Sequence, residues 1–316
     1  METVKLYYEN AFLREFDGVV VDCRPQGKKW LVILDQPAFS PEGGGQPADH
    51  GILGGAQVTD VQEQEGVILH TCSKALAVGE AVHGEIDWPR RFDHMQQHSG
   101  EHIVSGMLCA AYNCDNTGFH LGEGSVIIDY NADIPWEGVL DIETRANRYI
   151  WENHSLVTLY PTAQELAALP YRSKKELTGQ VRITQFPGAD MCACCGTHVS
   201  RSGQVGLVKF IGWQKFRDGV RLELLCGQRA LEYLAEEHRG AGNVLLVQPP
   251  MEPDSVRRLC DAVSRTCIGR CAVFAGTDGG YKYAVIHPEQ DITPFMKAMN
   301  AALRGRGGGR DRGGSR

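Results

Sequence analysis

Two short segments far apart in the chain carry side chains that bind metal ions, and only a fold that brings them together can use both. The first is His98-Ser-Gly-Glu-His102. Its histidines stand four apart, so on a helix both rings project from one face, where two ring nitrogens can share an ion. The second is Cys194-Cys-Gly-Thr-His198, preceded by Pro187-Gly188 and followed by a strand-like run. It sets thiols and an imidazole within a single turn. Each alone has an ordinary explanation, either incidental surface histidines or a loop of buried thiols. Together they supply three or four nitrogen and sulfur donors, the set that tetrahedral zinc prefers. His98, His102, Cys194 and His198 are therefore the expected ligands of one Zn2+. Cys192 and Cys195 also form a C-x-x-C pair, which leaves a purely structural zinc open, although no second pair completes a four-cysteine site.

The pattern around these segments predicts an α+β fold. Residues 1–89 read as a small barrel-like β domain, with apolar runs at Val19–Val21, Trp30–Leu34 and Gly66–His70 separated by turn residues. Met1 to Lys5 alternates like a strand. Pro89 precedes a helix from Arg90 to about Tyr112, which opens a zinc-containing α+β domain over residues 90–238. Within it, strands are expected at Ser125–Tyr130, Gly206–Ile211 and Val220–Leu225, and helices near Pro135 and over Thr162–Leu169. No βαβ rhythm is evident. Gly240–Gly242 and Pro249-Pro250 mark a boundary. Residues 254–316 then read as helix, strand pair (Cys271–Ala275, Tyr281–Ile286), helix and a Gly/Arg tail, a small C-terminal α/β domain.

The net charge of −7 argues against a polyanionic partner until its distribution is examined. From Tyr171 to Arg229 there are ten Lys/Arg against four Asp/Glu, and Arg304 to Arg316 holds five Arg against Asp311. An acidic body with two basic regions suits a protein that receives nucleic acid on one face. The eleven cysteines are irregularly spaced and no secretory signal is apparent, so they read as reduced thiols of a cytoplasmic protein. No apolar run is long enough to span a bilayer, and no membrane association is expected.

A third signal is the run Phe39-Ser-Pro-Glu-Gly-Gly-Gly-Gln46-Pro47. Three consecutive glycines in a β domain cost backbone entropy unless the chain turns tightly or a ligand approaches closely. No Gly-Lys-Ser/Thr follows, so this is not a phosphate-binding P-loop. Taken in order, Pro41-Glu-Gly-Gly-Gly-Gln46, His98-x-x-x-His102 and Cys194-x-x-x-His198 with Gly196-Thr197 inside resemble the editing domain of alanyl-tRNA synthetases. The likeness is closest to the freestanding alanyl-tRNA editing proteins of the AlaX type. Thr117-Gly-Phe-His-Leu-Gly122 and Leu225-Cys-Gly227 sit where that family has similar segments, and the resemblance covers roughly residues 5–235. Beyond it, Tyr281-Lys-Tyr-Ala and the Arg304 tail resemble a shortened DHH-associated C-terminal domain, which implies tRNA contact and homodimerisation.

The resemblance implies zinc-dependent deacylation of tRNA(Ala) carrying serine, and more slowly glycine, with Gln46 and Thr197 reading the aminoacyl group. Glu101 is a further catalytic candidate, and His94, one turn before His98, an outer neighbour of the ligands. Two positions depart from the pattern: Pro37 stands where many relatives have threonine, and Cys195 where many have glycine. Two other readings use the same residues. His98-x-x-Glu101-His102 is formally an H-x-x-E-H metallopeptidase signature with Glu101 as base and Glu176 as third ligand, which leaves Cys194, His198 and the glycine run without a role. A non-catalytic tRNA-binding protein with a closed structural zinc is the other.

Overall fold

The computed structural model describes residues 3–173, 181–248, 251–277 and 280–303. Lys174, Lys175, Glu176, Pro249-Pro250 and the Arg304–Arg316 tail lie outside the described residues. The strand expected over the first five residues is not seen at residues 3–5, which are irregular and lead into a one-turn helix, α1 (Leu6–Glu9).

Six antiparallel strands then close into a barrel. They are β1 (Glu15–Gln26), β2 (Lys29–Leu34), β3 (Gly51–Leu53), β4 (Ala56–Gln64), β5 (Val67–Cys72) and β6 (Ala81–Ile86), in the order β1-β2-β5-β4-β3-β6 with β6 paired back onto β1. Alternation along β1 and β6 puts every second side chain inside, where Phe16, Val20, Val32, Phe39, Ile68 and Val82 form a core of their own. The long excursion between β2 and β3 carries the glycine run.

Helix α2 (Trp88–Tyr112) is the central element of the α+β region after the barrel. It starts where the sequence supplies a cap: the Asp87 carboxylate accepts from Arg90 N–H, and Pro89 occupies the first turn, where its missing N–H costs nothing. It ends at Asn113, in the left-handed conformation. The expected boundary after residue 89 thus falls within its first turn. Nearly every face of α2 is covered, so it does not show the single apolar stripe of a surface helix. At its barrel end the fully buried guanidinium of Arg91 donates to the Asp49 carboxylate, to Ala38 O (2.7 Å) and to Ala11 O (2.9 Å).

One face of α2 packs on an antiparallel sheet ordered β12-β13-β8-β7, made of β7 (Asn116–Leu121), β8 (Val126–Tyr130), β12 (Val208–Phe216) and β13 (Gly219–Cys226). Helix α3 (Trp136–Glu152) packs beside α2, sharing Ile103, Val104, Ile142 and Ile150 in one core. A second small sheet, ordered β11-β10-β9, comprises β9 (Val157–Leu159), β10 (Ile183–Phe186) and β11 (Asp190–Ala193). Between β9 and β10 lies α4 (Ala163–Ala168), entered through the Thr162–Glu165 capping box.

After α5 (Gly227–Glu237) the chain departs from the expected order. A strand absent from the sequence reading, β14 (Val244–Gln248), pairs in parallel with β15 (Cys271–Thr277) through α6 (Pro253–Ser264), while β16 (Gly280–Ile286) closes the sheet antiparallel and leads to α7 (Thr293–Leu303). The βαβ unit is therefore present here. Its core residues Val256, Leu259 and Val273 are continuous with those around α2. Among the described residues, no helix is long and apolar enough to cross a membrane.

Candidate metal centre

The fold brings the two ligand-bearing segments into contact. His98 and His102 lie on consecutive turns of α2. Cys194 comes directly after β11, and its N–H extends the β10–β11 ladder by donating to Arg182 O at 3.0 Å. One donor atom from each of His98, His102, Cys194 and His198 falls within 4.8 Å of every other. Cys194 Sγ is 3.4 Å from His98 Nε2 and 3.3 Å from His198 Nε2.

Each histidine is aimed by a different element through its other nitrogen. His98 Nδ1–H donates to Gln46 Oε1 (2.7 Å), His102 Nδ1–H donates to Asp190 Oδ2 (2.8 Å), and His198 Nδ1 lies 3.2 Å from Ser99 Oγ. Such outer bonds fix tautomer and ring direction, leaving the opposite nitrogen for a metal. Phe119 stacks on His98 and Phe186 on His102, which holds the ring planes.

The shifts at Cys194 and His198 suit that use, whereas a metal at His102 would displace a proton. Burial would push the Cys194 thiol up, but neighbouring His98 and His198 and hydrogen bonds from His102 and His198 hold it well below its ordinary range. Burial would lower His102, yet its bonds to Asp190 and Cys194 raise it to about 9. Burial pushes His198 down to about 3. Asp190, which burial would raise, is kept low by His102 and by Arg172, whose Nε and Nη2 reach its two oxygens at 2.7 and 2.8 Å. A thiolate, three oriented imidazoles and a buried carboxylate behind one of them form a donor set that fits a divalent metal of zinc's preferences.

The glycine run reaches this cluster from the barrel. Gly45 has φ +85°, and a Cβ there would meet Phe119 at 2.5 Å. The turn delivers Gln46 into the interior, where Nε2 donates to Thr197 Oγ1 at 2.8 Å while Oε1 serves His98. Both ends of the Gln46 amide are thus spent on holding the site. Gly196 is the closest approach: a Cβ there would stand 2.3 Å from His98 Cε1 and 2.9 Å from Gln46 Oε1.

Other expected residues lie elsewhere. The Glu101 carboxylate is buried and accepts from Ser105 Oγ at 2.7 Å and from Asn116 Nδ2 at 2.5 Å, apart from the four converging donors. His94 is buried outside the cluster, its Nδ1 without a partner, in the field of Arg90 and Asp49. Cys192 and Cys195 diverge: the first is buried beside Asp190 and His102, with its thiol pushed up to about 12 by burial, and the second is exposed against Gly43 and Gly44. Pro37 is buried and its carbonyl accepts Leu6 N–H at 3.0 Å. Residues 171–229 contribute Arg172 and Arg182 to the surroundings of the ligands, not only a charged surface. Asp190, Arg172, Ser99, Phe119 and Phe186 were given no role from sequence, although Ser99 lies inside the His98–His102 segment, Phe119 inside Thr117–Gly122 and Arg172 in the basic stretch.

The chain is similar to known proteins along much of its length. Residues 5–90 match the model for tRNA synthetases class II (A), and residues 181–222 match the threonyl and alanyl tRNA synthetase second additional domain. The chain is 32% identical to the alanyl-tRNA editing protein AlaX-L of Pyrococcus horikoshii, over 81% of its own length and 66% of that protein's. It is also 32% identical to the alanyl-tRNA editing protein Aarsd1 of Danio rerio, over 72% and 60%. The chain belongs to the AlaX-type alanyl-tRNA editing family. It is likewise 35% identical to the alanine–tRNA ligase of Halobacterium salinarum, over 81% of this chain but 30% of the ligase. The chain spans about two thirds or less of the editing relatives it matches, and under a third of the ligase.

Proposed function

We propose that the chain is a trans-editing hydrolase that removes serine, and more slowly glycine, from mischarged tRNA(Ala) at a zinc site held by His98, His102, Cys194 and His198. The observation that carries this reading is the outer partner given to each histidine, Gln46, Asp190 or Ser99, which prepares three imidazoles and one thiolate for a single ion. What zinc supplies when bound is a Lewis-acid pole for an ester carbonyl or a water. The aminoacyl ester is already reactive, so holding it in place accounts for much of the rate and no strong base is required. Gln46 and Thr197 act here chiefly as a linked pair that fixes His98 and the floor of the site. Glu101 supports α2 through Ser105 and Asn116, which gives the peptidase reading no free base to use.

The partner in this reading is tRNA(Ala), met in the cytoplasm. Basic residues of 171–229 other than Arg172 and Arg182, together with the Arg304–Arg316 tail, contact phosphates, and the C-terminal residues 254–316 serve homodimerisation.

Selectivity is the test. A site that hydrogen-bonds a hydroxyl can reject the analogue lacking it by about 10⁴-fold, because its polar groups are left unpaired. Incubation with seryl-, glycyl- and alanyl-tRNA(Ala) should release serine fastest and leave alanine largely in place. Equal rates on the seryl and alanyl forms would refute editing, and zinc uptake with no hydrolysis of any of them would favour the closed structural site.

A further inference from the structure

The turn that carries Cys194 is held by one side chain that the sequence did not single out. Arg182 lies just before β10, and its backbone carbonyl accepts Cys194 N–H at 3.0 Å. Its Nη1 reaches back to Cys194 O and Gly196 O, both at 2.9 Å. One guanidinium nitrogen therefore gathers two carbonyls that flank Cys195 and closes the chain into a tight turn. Within that turn Gly196 N–H points at Cys194 Sγ, 3.4 Å away. Gly196 is also the residue pressed against the His98 ring.

Arg182 has no carboxylate partner among the described residues, and its Nε is buried without a hydrogen bond. Instead, its Cζ lies 5.0 Å from the ring centroid of Tyr8, in α1 at the head of the barrel. An arginine with a buried, unmatched donor costs stability. What it gains in return is the geometry of the ligand turn.

We propose that Arg182 is the positioning residue for the Cys194 ligand, with the Tyr8 ring covering its guanidinium, so that the barrel's first helix takes part in holding the metal. This rests on the reading of Cys194 as a ligand. Without the two carbonyl bonds the turn opens, the thiolate is no longer presented to the three imidazoles, and the ion loses its sulfur donor. Lysine is not a substitute, because a point ammonium lacks the planar fork that rests on an aromatic face while donating sideways.

The test uses the full chain, stripped of metal and titrated with zinc against a chromophoric chelator, and with cobalt to read the thiolate-to-metal absorption band. Arg182→Gln is expected to bind zinc about tenfold or more weaker and to weaken that band, as loss of an outer partner does elsewhere. Arg182→Lys should recover only part of the affinity, and Tyr8→Leu should fall between wild type and Arg182→Gln. Zinc affinity of Arg182→Gln within about twofold of wild type, with an unchanged cobalt band, overturns the proposal. If Arg182→Gln does not fold, Arg182→Lys decides: a loss of about threefold or more supports the role, and a change under about twofold overturns it. A wild-type chain that takes up neither metal fails differently, by removing the metal site itself.

Discussion

Asp190 accepts the Nδ1 hydrogen of His102 at 2.8 Å while its two oxygens are held by Arg172, so one buried carboxylate aims a metal-facing ring and is itself aimed. Asp190→Asn keeps the shape but removes the charge that Arg172 and His102 share. It should weaken zinc binding roughly 10- to 100-fold, the usual effect of losing a ligand's orienting partner. Competition titration measures this, with the melting temperature of the metal-free variant separating ligand orientation from folding. Full zinc affinity in a folded Asp190→Asn protein would deny His102 its orienting partner.

Gly196 tolerates no side chain, because a Cβ would stand 2.3 Å from the His98 ring. Gly196→Ala must displace either the ring or the turn. The expected result is loss of most zinc, with a destabilisation of about 1–3 kcal/mol from overpacking. Elemental analysis of the purified variant reads the first, and urea unfolding of the metal-free form reads the second. A zinc-replete Gly196→Ala protein would mean that the ring and the turn are not in contact in solution.

Acid should destabilise the fold well before the carboxylates titrate. Burial lowers His70 to about 4 and His94 to about 3. Each therefore stays neutral in the native state while the unfolded chain takes up a proton below about pH 6.5. Their contribution is complete above pH 6.5 and is lost as pH falls toward 4, at up to about 1.4 kcal/mol per pH unit for each group. Between pH 6.5 and 5 the double variant His70→Asn/His94→Gln should lose up to about 3 kcal/mol less than wild type. Parallel pH profiles for the two proteins, from urea midpoints, would dismiss both histidines as the source.

The Pro37 side chain offers no hydrogen bond, and its carbonyl is taken by Leu6 N–H. Pro37→Thr should raise the ratio of seryl- to alanyl-tRNA(Ala) hydrolysis rates, because an added hydroxyl partner favours the substrate that carries one. Single-turnover rates on both substrates check this. An unchanged ratio detaches position 37 from amino-acid recognition.

Removal of residues 304–316, which hold five arginines, should flatten the salt dependence of tRNA binding. The slope of log affinity against log salt should fall by about 0.9 for each duplex phosphate that the tail no longer neutralises. Filter binding at several salt concentrations gives the slope, and equal slopes for the two chains would make the tail a bystander.

The parts of the site legible in the sequence are those that local geometry dictates. His98 and His102 declare themselves because a helix converts a spacing of four into a shared face, and Cys194 and His198 because one turn holds both. Of the barrel strands, β1, β2 and β5 were readable from their apolar runs at Val19–Val21, Trp30–Leu34 and Gly66–His70. Asp190 was not, since nothing in Gly188-Ala-Asp190 says which ring will come to meet it. Glu101 was ambiguous for the same reason: adjacency to His102 in sequence puts it on another side of α2, where Ser105 and Asn116 take its carboxylate. Strand β14 was hidden between Gly242 and Pro249, with Leu245 and Val247 facing outward and no periodic signal beyond five residues.

The Arg91–Asp49 pair ties the helix that carries the histidines to the barrel. Truncating either side chain alone would leave the other charge buried without its counter-charge. Breaking a buried pair in this way typically costs about 3–5 kcal/mol. The barrel and the histidine helix therefore share part of their stability, so a change at Asp49 on the barrel side is felt by the helix that carries His98 and His102.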